Sequence, residues 1–483
     1  MAAAPALDGL DAVRTLLAGS DPEGRLVPCD LSELIVGSNV LDRVADAVDG
    51  LVPTQDGVRR RVVVIVDETP IVRAYNGVTQ DVKAEVARVL AEDSDVTTVV
   101  LSDGHPELHV TEPVVEDAIN ASMGADVLVG VGGGTISDIA KLAAAASAGL
   151  PVVTVMTAAS VDGYTDNVSV TLRDGVKRTV PSVWPDVVLA DAETVAGAPS
   201  RMNRAGYGEM TSMYVAPADW RLAALTGIDT SFHPGPIRLL DALSAELDAC
   251  AAGVAVGDPA AVQQLTWALA LRGIATGVAG STACLSGVEH LISHMLDLRA
   301  AQLHLPTGLH GEQVGAGSVV AACAWEMLDE RLGGTSGARV AAASLDASAA
   351  EDRVRAAFAD LDPSGRIGDE CWSDYSRKLV RIADRRQGID AVLAAWSDSA
   401  AELRSFVRPS VRIAEGLRAA GAPAQLADLG VDAATTRWAV ESCGLMRDRF
   451  TVVDLLGLLG WWEPADVDEV LARVDTALEG ASS

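Results

Sequence analysis

The sequence predicts an α/β N-terminal domain built on a mostly parallel sheet, followed by an all-helical C-terminal domain. Three observations carry this reading: strand-like and helical runs alternate from Arg61 to about Ala198, a glycine-rich turn follows one of the strand-like runs, and such runs stop after Pro199. The β-branched run Val62–Val66 is the first strand and ends at Asp67. Val82–Ala91 has helical spacing, Val96–Leu101 reads as a strand, and Val114–Met123 returns to helix. Asp126–Val131 is the third strand and Ile136–Ala146 its helix; Pro151–Val155 is the fourth strand and Val187–Ala190 a further short one. Beyond Pro199, Ala- and Leu-rich helical segments run to Gly480, broken at Gly, Pro and Asp clusters. The expected division is 1–199 for the α/β domain and 200–483 for the helical one, with Arg331–Gly337 and Ser344–Ala349 read as loops.

The chain has 483 residues, 49% of them hydrophobic, enough for a large core in each of two domains. Lys and Arg number 37 against 67 Asp and Glu, a formal charge of -30. A field of that sign repels phosphate backbones, and no basic patch is segregated, so nucleic acid is not an expected partner. The six cysteines are scattered without a C-x-x-C pair and read as buried thiols of a reducing cytosol. Met1–Leu10 lacks the basic region and apolar core of a signal peptide. Apolar stretches such as Leu142–Leu150 fall short of the ~20 residues that a bilayer requires. The expectation is a cytoplasmic protein with no membrane partner.

Three clusters carry chemistry. The first is Gly130-Val131-Gly132-Gly133-Gly134-Thr135-Ile136-Ser137-Asp138-Ile139-Ala140-Lys141, between the third strand and its helix. Glycines there let the backbone approach a ligand, and the helix N-terminus favours a pyrophosphate; the same residues also suit a plain strand-to-helix turn. The pattern is not G-x-G-x-x-G, so that fingerprint's ribose-binding acid cannot be transferred. The second is Met156-Thr157-Ala158-Ala159-Ser160-Val161-Asp162-Gly163-Tyr164-Thr165, at the carboxyl end of the fourth strand, where open α/β sheets bind ligands. Its hydroxyls suit phosphate or ribose and Asp162 suits a substrate hydroxyl, although an ordinary Asx turn reads the same way. The third is Ser286-Gly287-Val288-Glu289-His290-Leu291-Ile292-Ser293-His294, followed by Leu309-His310-Gly311-Glu312-Gln313. His290 and His294 share one helix face, and two histidines with a carboxylate form a usual catalytic zinc set.

In this order and spacing, the clusters resemble the glycerol-1-phosphate dehydrogenase family, within the superfamily of iron-type alcohol dehydrogenases, glycerol dehydrogenases and dehydroquinate synthases. The similarity runs from about Leu34 to Val474. It includes Met446-Arg447-Asp448-Arg449-Phe450-Thr451-Val452-Val453-Asp454-Leu455, which is similar to a late helix segment of the family's bacterial branch. The resemblance implies a dehydroquinate synthase-like fold with the active site in the cleft between the domains. It assigns NAD or NADP to Gly132, Gly133, Gly134, Thr135 and Ile136 and to Thr157, Ala158, Ala159 and Ser160, with Asp166 at a further cofactor position. Glu209, His290 and His310 would hold one divalent metal, zinc first, with nickel or iron as alternatives. Asp162 and His294 would act on the substrate, a small phosphorylated polyol or ketone. A homodimer or higher homo-oligomer is also implied.

Three features depart from the family's pattern. Glu209 stands where the dehydrogenases carry Asp, and is the choice of the dehydroquinate synthases. Asp166 stands where the family usually has a small Ser; an added carboxylate there would repel a phosphate or reshape the nicotinamide pocket. The stretch from His290 to His310, with His304 and Pro306, is longer than the family's. Lys177 and Arg178 are candidates for the substrate phosphate, or else form a solvated hairpin tip. Glu209 keeps open a sugar-phosphate cyclase that reduces and reoxidises NAD within one turnover. Asp166 keeps open a non-catalytic binding protein on the same scaffold.

Overall fold

The computed structural model describes residues 9–54, 58–147, 149–173, 176–334 and 337–481. Its contacts divide the chain into two compact units, each made of two stretches: Met1–Tyr207 with Pro234–Gly280, and Gly208–His233 with Ser281–Ser483. A single cut near residue 199 was expected. The reason for the difference is visible at the helix Pro259–Ala279, whose glycines let its backbone press on the α/β unit. A Cβ on Gly273 would lie 2.4 Å from the Asp162 carbonyl oxygen, and one on Gly277 would lie 2.2 Å from the Trp184 ring.

Among the described residues of the first unit ten strands form: β1 (Glu33–Gly37), β2 (Arg60–Val66), β3 (Val72–Tyr75), β4 (Val78–Asp81), β5 (Ser94–Val100), β6 (Val127–Gly132), β7 (Val152–Met156), β8 (Val168–Arg173), β9 (Val176–Pro181) and β10 (Val187–Asp191). Six of them make one parallel sheet in the order β1-β10-β7-β6-β2-β5. All five sequence-predicted strands lie in it, within two residues of their expected ends. Both faces are covered, because successive residues point to opposite sides. Val62, Val64, Val127, Val129, Val153 and Val155 pack with the helices Arg43–Leu51 and Val82–Leu90. Val63, Ile65, Leu128 and Val152 pack with Glu112–Ala121 and Gly134–Ala146.

The chain leaves β2 outward to β5, then returns to the other side of β2 as β6 and continues to β7 and β10. This reversal opens a crevice at the carboxyl ends of β2 and β6, the usual ligand position of an open parallel sheet. The glycine-rich turn closes β6, and the Thr157–Thr165 loop follows its neighbour β7.

β1 and the hairpin β3–β4 were not expected from the sequence, whereas a hairpin tip at Lys177 and Arg178 was one of two alternatives. β1 is a five-residue edge strand without alternation. The hairpin β3–β4 turns at Asn76-Gly77, both with positive φ (50° and 74°), the local signature of a tight two-residue turn. The hairpin β8–β9 carries Lys177 and Arg178 in its second strand; its tip and the Lys177 side chain lie outside the described residues.

All regular elements among the described residues of the second unit are helical, as expected after Pro199. Two segments read as loops contain regular structure, with residues 335–336 of the first outside the described residues. The helix His310–Gly334 contains Arg331–Gly334, and Ser344–Leu345 close a 3-10 turn before the helix Ala347–Ala359. Tertiary partners override the glycines there: Arg331 pairs with Asp466 at 2.7 Å and Glu469 at 2.6 Å. Met446–Thr451, expected within a helix, instead forms an irregular connection; the helix starts at Val452, behind a capping box of Thr451 and Asp454. Among the described residues no helix is long and apolar enough to cross a membrane. The cysteines are free, five of them buried and Cys29 half-buried.

Candidate functional site

The glycine turn separates packing from ligand space. A Cβ on Gly132 would meet Ile136 at 2.6 Å, and one on Gly134 would meet Val161 at 2.8 Å, so both glycines are fixed by close packing. Gly133 is different. It is the N-cap of the helix Gly134–Ala146 with φ -77°, a conformation open to any residue, and its nearest neighbour would be the Tyr164 hydroxyl at 4.0 Å. Among the described residues nothing demands glycine at 133, yet a side chain there would fill the space before the helix N-terminus, a place that suits a pyrophosphate. The residues present therefore fit a dinucleotide. Ile136 turns its side chain into the core and can offer a ligand only its backbone, whereas Thr135 is half-buried.

The neighbouring loop is joined to this turn by the Thr157 N–H, which donates to the Gly132 oxygen (3.3 Å). Its centre is committed inward: the Ala159 N–H donates to Asn203 (3.0 Å), and the Ala158 oxygen accepts from Tyr164 (3.1 Å). Gly206 must be glycine, because a Cβ there would meet the Ala159 oxygen at 1.8 Å. The side chains of Thr157 and Ser160 are the polar groups the loop presents, both nearly buried. Asp162 is gripped by Arg272, a buried guanidinium from the helix Pro259–Ala279. Sequence reasoning missed Arg272, since it lies more than a hundred residues downstream with no local motif.

Asp166 is buried and is not among the atoms within 4 Å of a Cβ at Gly133. It pairs with Lys141 (2.7 Å), which has no exposed surface, lies 3.2 Å from Asp138, and also donates to the carbonyls of Gly163 and Val168. Two carboxylates thus share one ammonium. Burial pushes Asp166 up to about 6, the Lys141 charge working against it, and burial raises Asp138 too. Burial alone would lower Lys141, but Asp166 and Asp138 hold it above its ordinary value.

In the second unit, Glu209, His290 and His310 each place a ligand atom within 4.8 Å of the others. Close backbone approach makes this possible: a Cβ on Gly208 would lie 2.2 Å from the Gly311 oxygen, so the residues beside Glu209 and His310 touch directly. Glu209 Oε1 lies 3.3 Å from His290 Nε2, and its Oε2 lies 3.8 Å from His310 Nε2. The far side of each ring is held. His290 Nδ1 meets Glu289 Oε1 (2.8 Å). Ser293 donates its one hydroxyl proton to Gln313 Oε1 (2.7 Å), so toward His310 Nδ1 (2.9 Å) it accepts. Both Nδ1 atoms therefore carry the proton, and both Nε2 lone pairs face Glu209, the arrangement metal-ligating histidines have. Burial lowers the His290 pKa, yet Glu209 and Glu289 outweigh it and raise it. That excess of buried negative charge, with two imidazoles and a carboxylate as donors, fits a divalent cation. Glu289, Ser293 and Gln313 stand inside the motifs first singled out, but their roles emerge only from the geometry. His294 lies outside the triplet, its ring 6.0 Å from that of His310 and 6.4 Å from that of His290. The longer stretch before His310 is the connection between helices Val288–Gln302 and His310–Gly334, with His304 at φ 52°.

Residues 36–199 match the family model described as iron-containing alcohol dehydrogenase. The glycerol-1-phosphate dehydrogenase [NAD(P)+] of Pyrococcus furiosus is 34% identical over 271 residues, 55% of this chain and 75% of that protein. The chain belongs to the glycerol-1-phosphate dehydrogenase family. It is accordingly an oxidoreductase of the iron-type alcohol dehydrogenase superfamily. A second member of the family, from Bacillus licheniformis, is 25% identical over 440 residues, 90% of each chain. The fold is that of the glycerol dehydrogenase of Schizosaccharomyces pombe (TM-score 0.55, 16% identity, 93% of this chain and 90% of that one). It is likewise that of the maleylacetate reductase of Agrobacterium tumefaciens (TM-score 0.53, 17% identity, 94% and 98%).

Two outcomes follow from the geometry. With zinc added to metal-stripped protein, His290→Ala and His310→Ala should each lose tight binding by elemental analysis, whereas His294→Ala should keep it; retention in all three variants would remove the triplet from consideration. A second outcome concerns pH. Because Asp166 holds its proton more tightly folded (about 6) than unfolded (near 3.8), the stability it confers is present below about pH 4 and lost as pH rises through 6. Urea midpoints of the native chain should therefore fall relative to Asp166→Asn between pH 4 and 7. A constant difference would mean that Asp166 does not titrate in that window.

Proposed function

We propose that the chain is a metal-dependent, NAD(P)-linked dehydrogenase that interconverts glycerol 1-phosphate and dihydroxyacetone phosphate. The observation that carries this reading is the buried Glu209–His290–His310 donor set, with both imidazoles oriented for coordination. Space kept open at Gly133 supports the dinucleotide, and relatives named glycerol-1-phosphate dehydrogenase [NAD(P)+] support the substrate. A bound divalent ion supplies Lewis-acid polarisation of the reacting oxygen, and a nicotinamide supplies or takes the hydride. Glu209, His290 and His310 would hold the ion; zinc suits these donors best, and nickel or iron can use the same set. His294, one helical turn beyond His290, would relay the proton of the reacting hydroxyl, a task suited to an imidazole. Asp162, its orientation set by Arg272, would accept a hydrogen bond from a second substrate hydroxyl. Thr157 and Ser160 would donate to phosphate or ribose oxygens. Arg178 and Lys177 are the cations proposed for the substrate phosphate. A cytoplasmic homo-oligomer completes the reading.

The test follows the hydride. Incubation with NAD or NADP and glycerol 1-phosphate, or with the reduced cofactor and dihydroxyacetone phosphate, should change nicotinamide absorbance in proportion to substrate, and His294→Ala should slow turnover by roughly 10²–10⁴-fold. Phosphate release from a seven-carbon sugar phosphate, with no net change in cofactor, would replace the dehydrogenase by a cyclase.

Gly133→Val tests the cofactor site separately. It should keep a native circular dichroism spectrum and weaken NAD and NADP binding in calorimetry by at least about tenfold, or 1.4 kcal/mol. Unchanged affinity would make the turn purely structural.

A further inference from the structure

The metal ligand His290 sits at the third position of the helix Val288–Gln302, whose N-cap, Gly287, offers no side chain to satisfy the first N–H groups. They are satisfied from elsewhere. Asp219, almost completely buried, accepts from the Val288 N–H through Oδ2 (3.1 Å) and from the Val452 N–H through Oδ1 (2.9 Å). One carboxylate thus ties together the first residues of two helices, Val288–Gln302 and Val452–Leu458. Gly287 is the only residue type that fits between, since a Cβ would lie 2.4 Å from Asp219 Oδ2 and 2.9 Å from Glu289 Oε2.

Arg449 grips the residues just before that N-cap. Its guanidinium donates to the Ser286 carbonyl and hydroxyl and to the Thr282 hydroxyl (2.7 Å). Burial pushes Arg449 below its ordinary pKa, with the Glu289 charge working against that, so the guanidinium lies in the field of the carboxylate that orients His290. Glu289 Oε1 in turn accepts from the Gly287 N–H (2.6 Å) and meets His290 Nδ1 (2.8 Å). The connection that carries Arg449 is itself anchored. Lys378, with no exposed surface, donates to the Gly444 oxygen (2.5 Å), the Arg449 oxygen (3.1 Å) and Asp454 Oδ1 (2.6 Å), while Asp454 Oδ2 accepts from the Thr451 N–H (2.9 Å).

We propose that Arg449 and Asp219 are positioning residues of the metal centre: the segment Arg449–Asp454 sets the height and rotation of the helix start at Gly287–Glu289, and thereby aims His290 at Glu209. The proposal rests on the metal reading above. It assigns to the late motif around Arg449 a part in metal affinity although no residue of that motif belongs to the ligand triplet. The chain's stability and its metal affinity should separate accordingly.

The experiment measures zinc affinity of the metal-stripped full chain by competition with a chromophoric chelator, alongside the melting temperature of the same metal-free protein. Arg449→Met should weaken zinc binding by up to about 10-fold, the lower end of the range for groups bonded directly to a metal ligand, because Arg449 acts on His290 through the helix start. Arg449→Lys, which keeps the charge but not the fork, should fall between. Asp219→Asn, which keeps the shape, serves if Arg449→Met does not fold, and should also weaken binding. Phe358→Leu is the control: Phe358 is fully buried on the helix Ala347–Ala359 against Trp438, so it should lower the melting temperature and leave zinc affinity native. Native affinity in Arg449→Met and Asp219→Asn, or an equal loss in Phe358→Leu, would overturn the positioning role. A native chain that takes up neither zinc, nickel nor iron would overturn the metal reading and the positioning role together.

Discussion

Two lysines without exposed surface, Lys141 and Lys378, define the constraint on which the rest of this molecule depends: a charged or ionisable group enters the interior only with an opposite charge or with hydrogen bonds that replace water. Carboxylates outnumber cations heavily in this chain, and most can remain in water. Several of those brought inside are met by a scarce set of buried cations, and Asp219 is met by the N–H groups of two helix starts. Lys141 serves Asp138 and Asp166, Arg272 serves Asp162, Arg73 serves Asp191, and Lys378 serves Asp454. Removing one partner of such a pair strands the other in a medium that cannot solvate it, which costs about 3–5 kcal/mol. Charge compensation therefore fixes chain segments as firmly as hydrophobic contact does.

The same constraint prepares each site. In the α/β unit the compensated cluster is built on the helix that follows the glycine turn, and the N-terminus of that helix favours an anion. Arg272 settles Asp162 without removing its second oxygen from use. In the helical unit the balance is reversed around the histidines. Glu209 and Glu289 face imidazoles rather than ammonium or guanidinium groups, and the nearby Arg449 spends its hydrogen bonds on Ser286 and Thr282. A buried concentration of negative charge with neutral nitrogen donors is a poor structural element. It is a good cation site.

Much of this was legible in the sequence, for reasons that can be stated. The central strands are buried on both faces, so they appear as unbroken β-branched runs whose ends are marked by Asp67, the glycine turn and the Thr157 loop. His290 and His294 announce themselves by helical spacing. Other features are set by partners far away in the chain and leave no local trace. β1 forms because β10 offers it a parallel edge, not because five residues of mixed burial favour a strand. Helical structure persists through Arg331–Gly334 because Asp466 and Glu469 hold Arg331. Arg272, Asp219 and Arg449 act across 110, 69 or 233, and 163 positions respectively, distances over which periodicity carries no information. Glu209 falls between these cases: it was chosen by resemblance, and only the close contact of Gly208 with Gly311 explains how it reaches both histidines.

Two of the departures from the family's pattern, Asp166 and Glu209, can be weighed by the same physics. A carboxylate at 166 would be costly beside a phosphate, but Lys141 draws it inward, and its neighbour Asp138 leaves the pair with more negative than positive charge to share. The space that distinguishes Gly133 is therefore not occupied by Asp166, and its charge reaches the turn only through a compensated cluster. Glu209 is longer than Asp by one methylene, which a rigid ligand triplet could not absorb. Here the extra reach is accommodated by setting, since the helix Ser200–Met210 brings Gly208 against the Gly311 carbonyl while each oxygen of Glu209 faces a different histidine. Both departures alter side chains whose surroundings are fitted to them. What they leave unaltered, the open N-cap at Gly133 and the two Nε2 lone pairs aimed at one point, is the part of the chemistry that backbone geometry and the hydrogen bonds of Glu289, Ser293 and Gln313 determine.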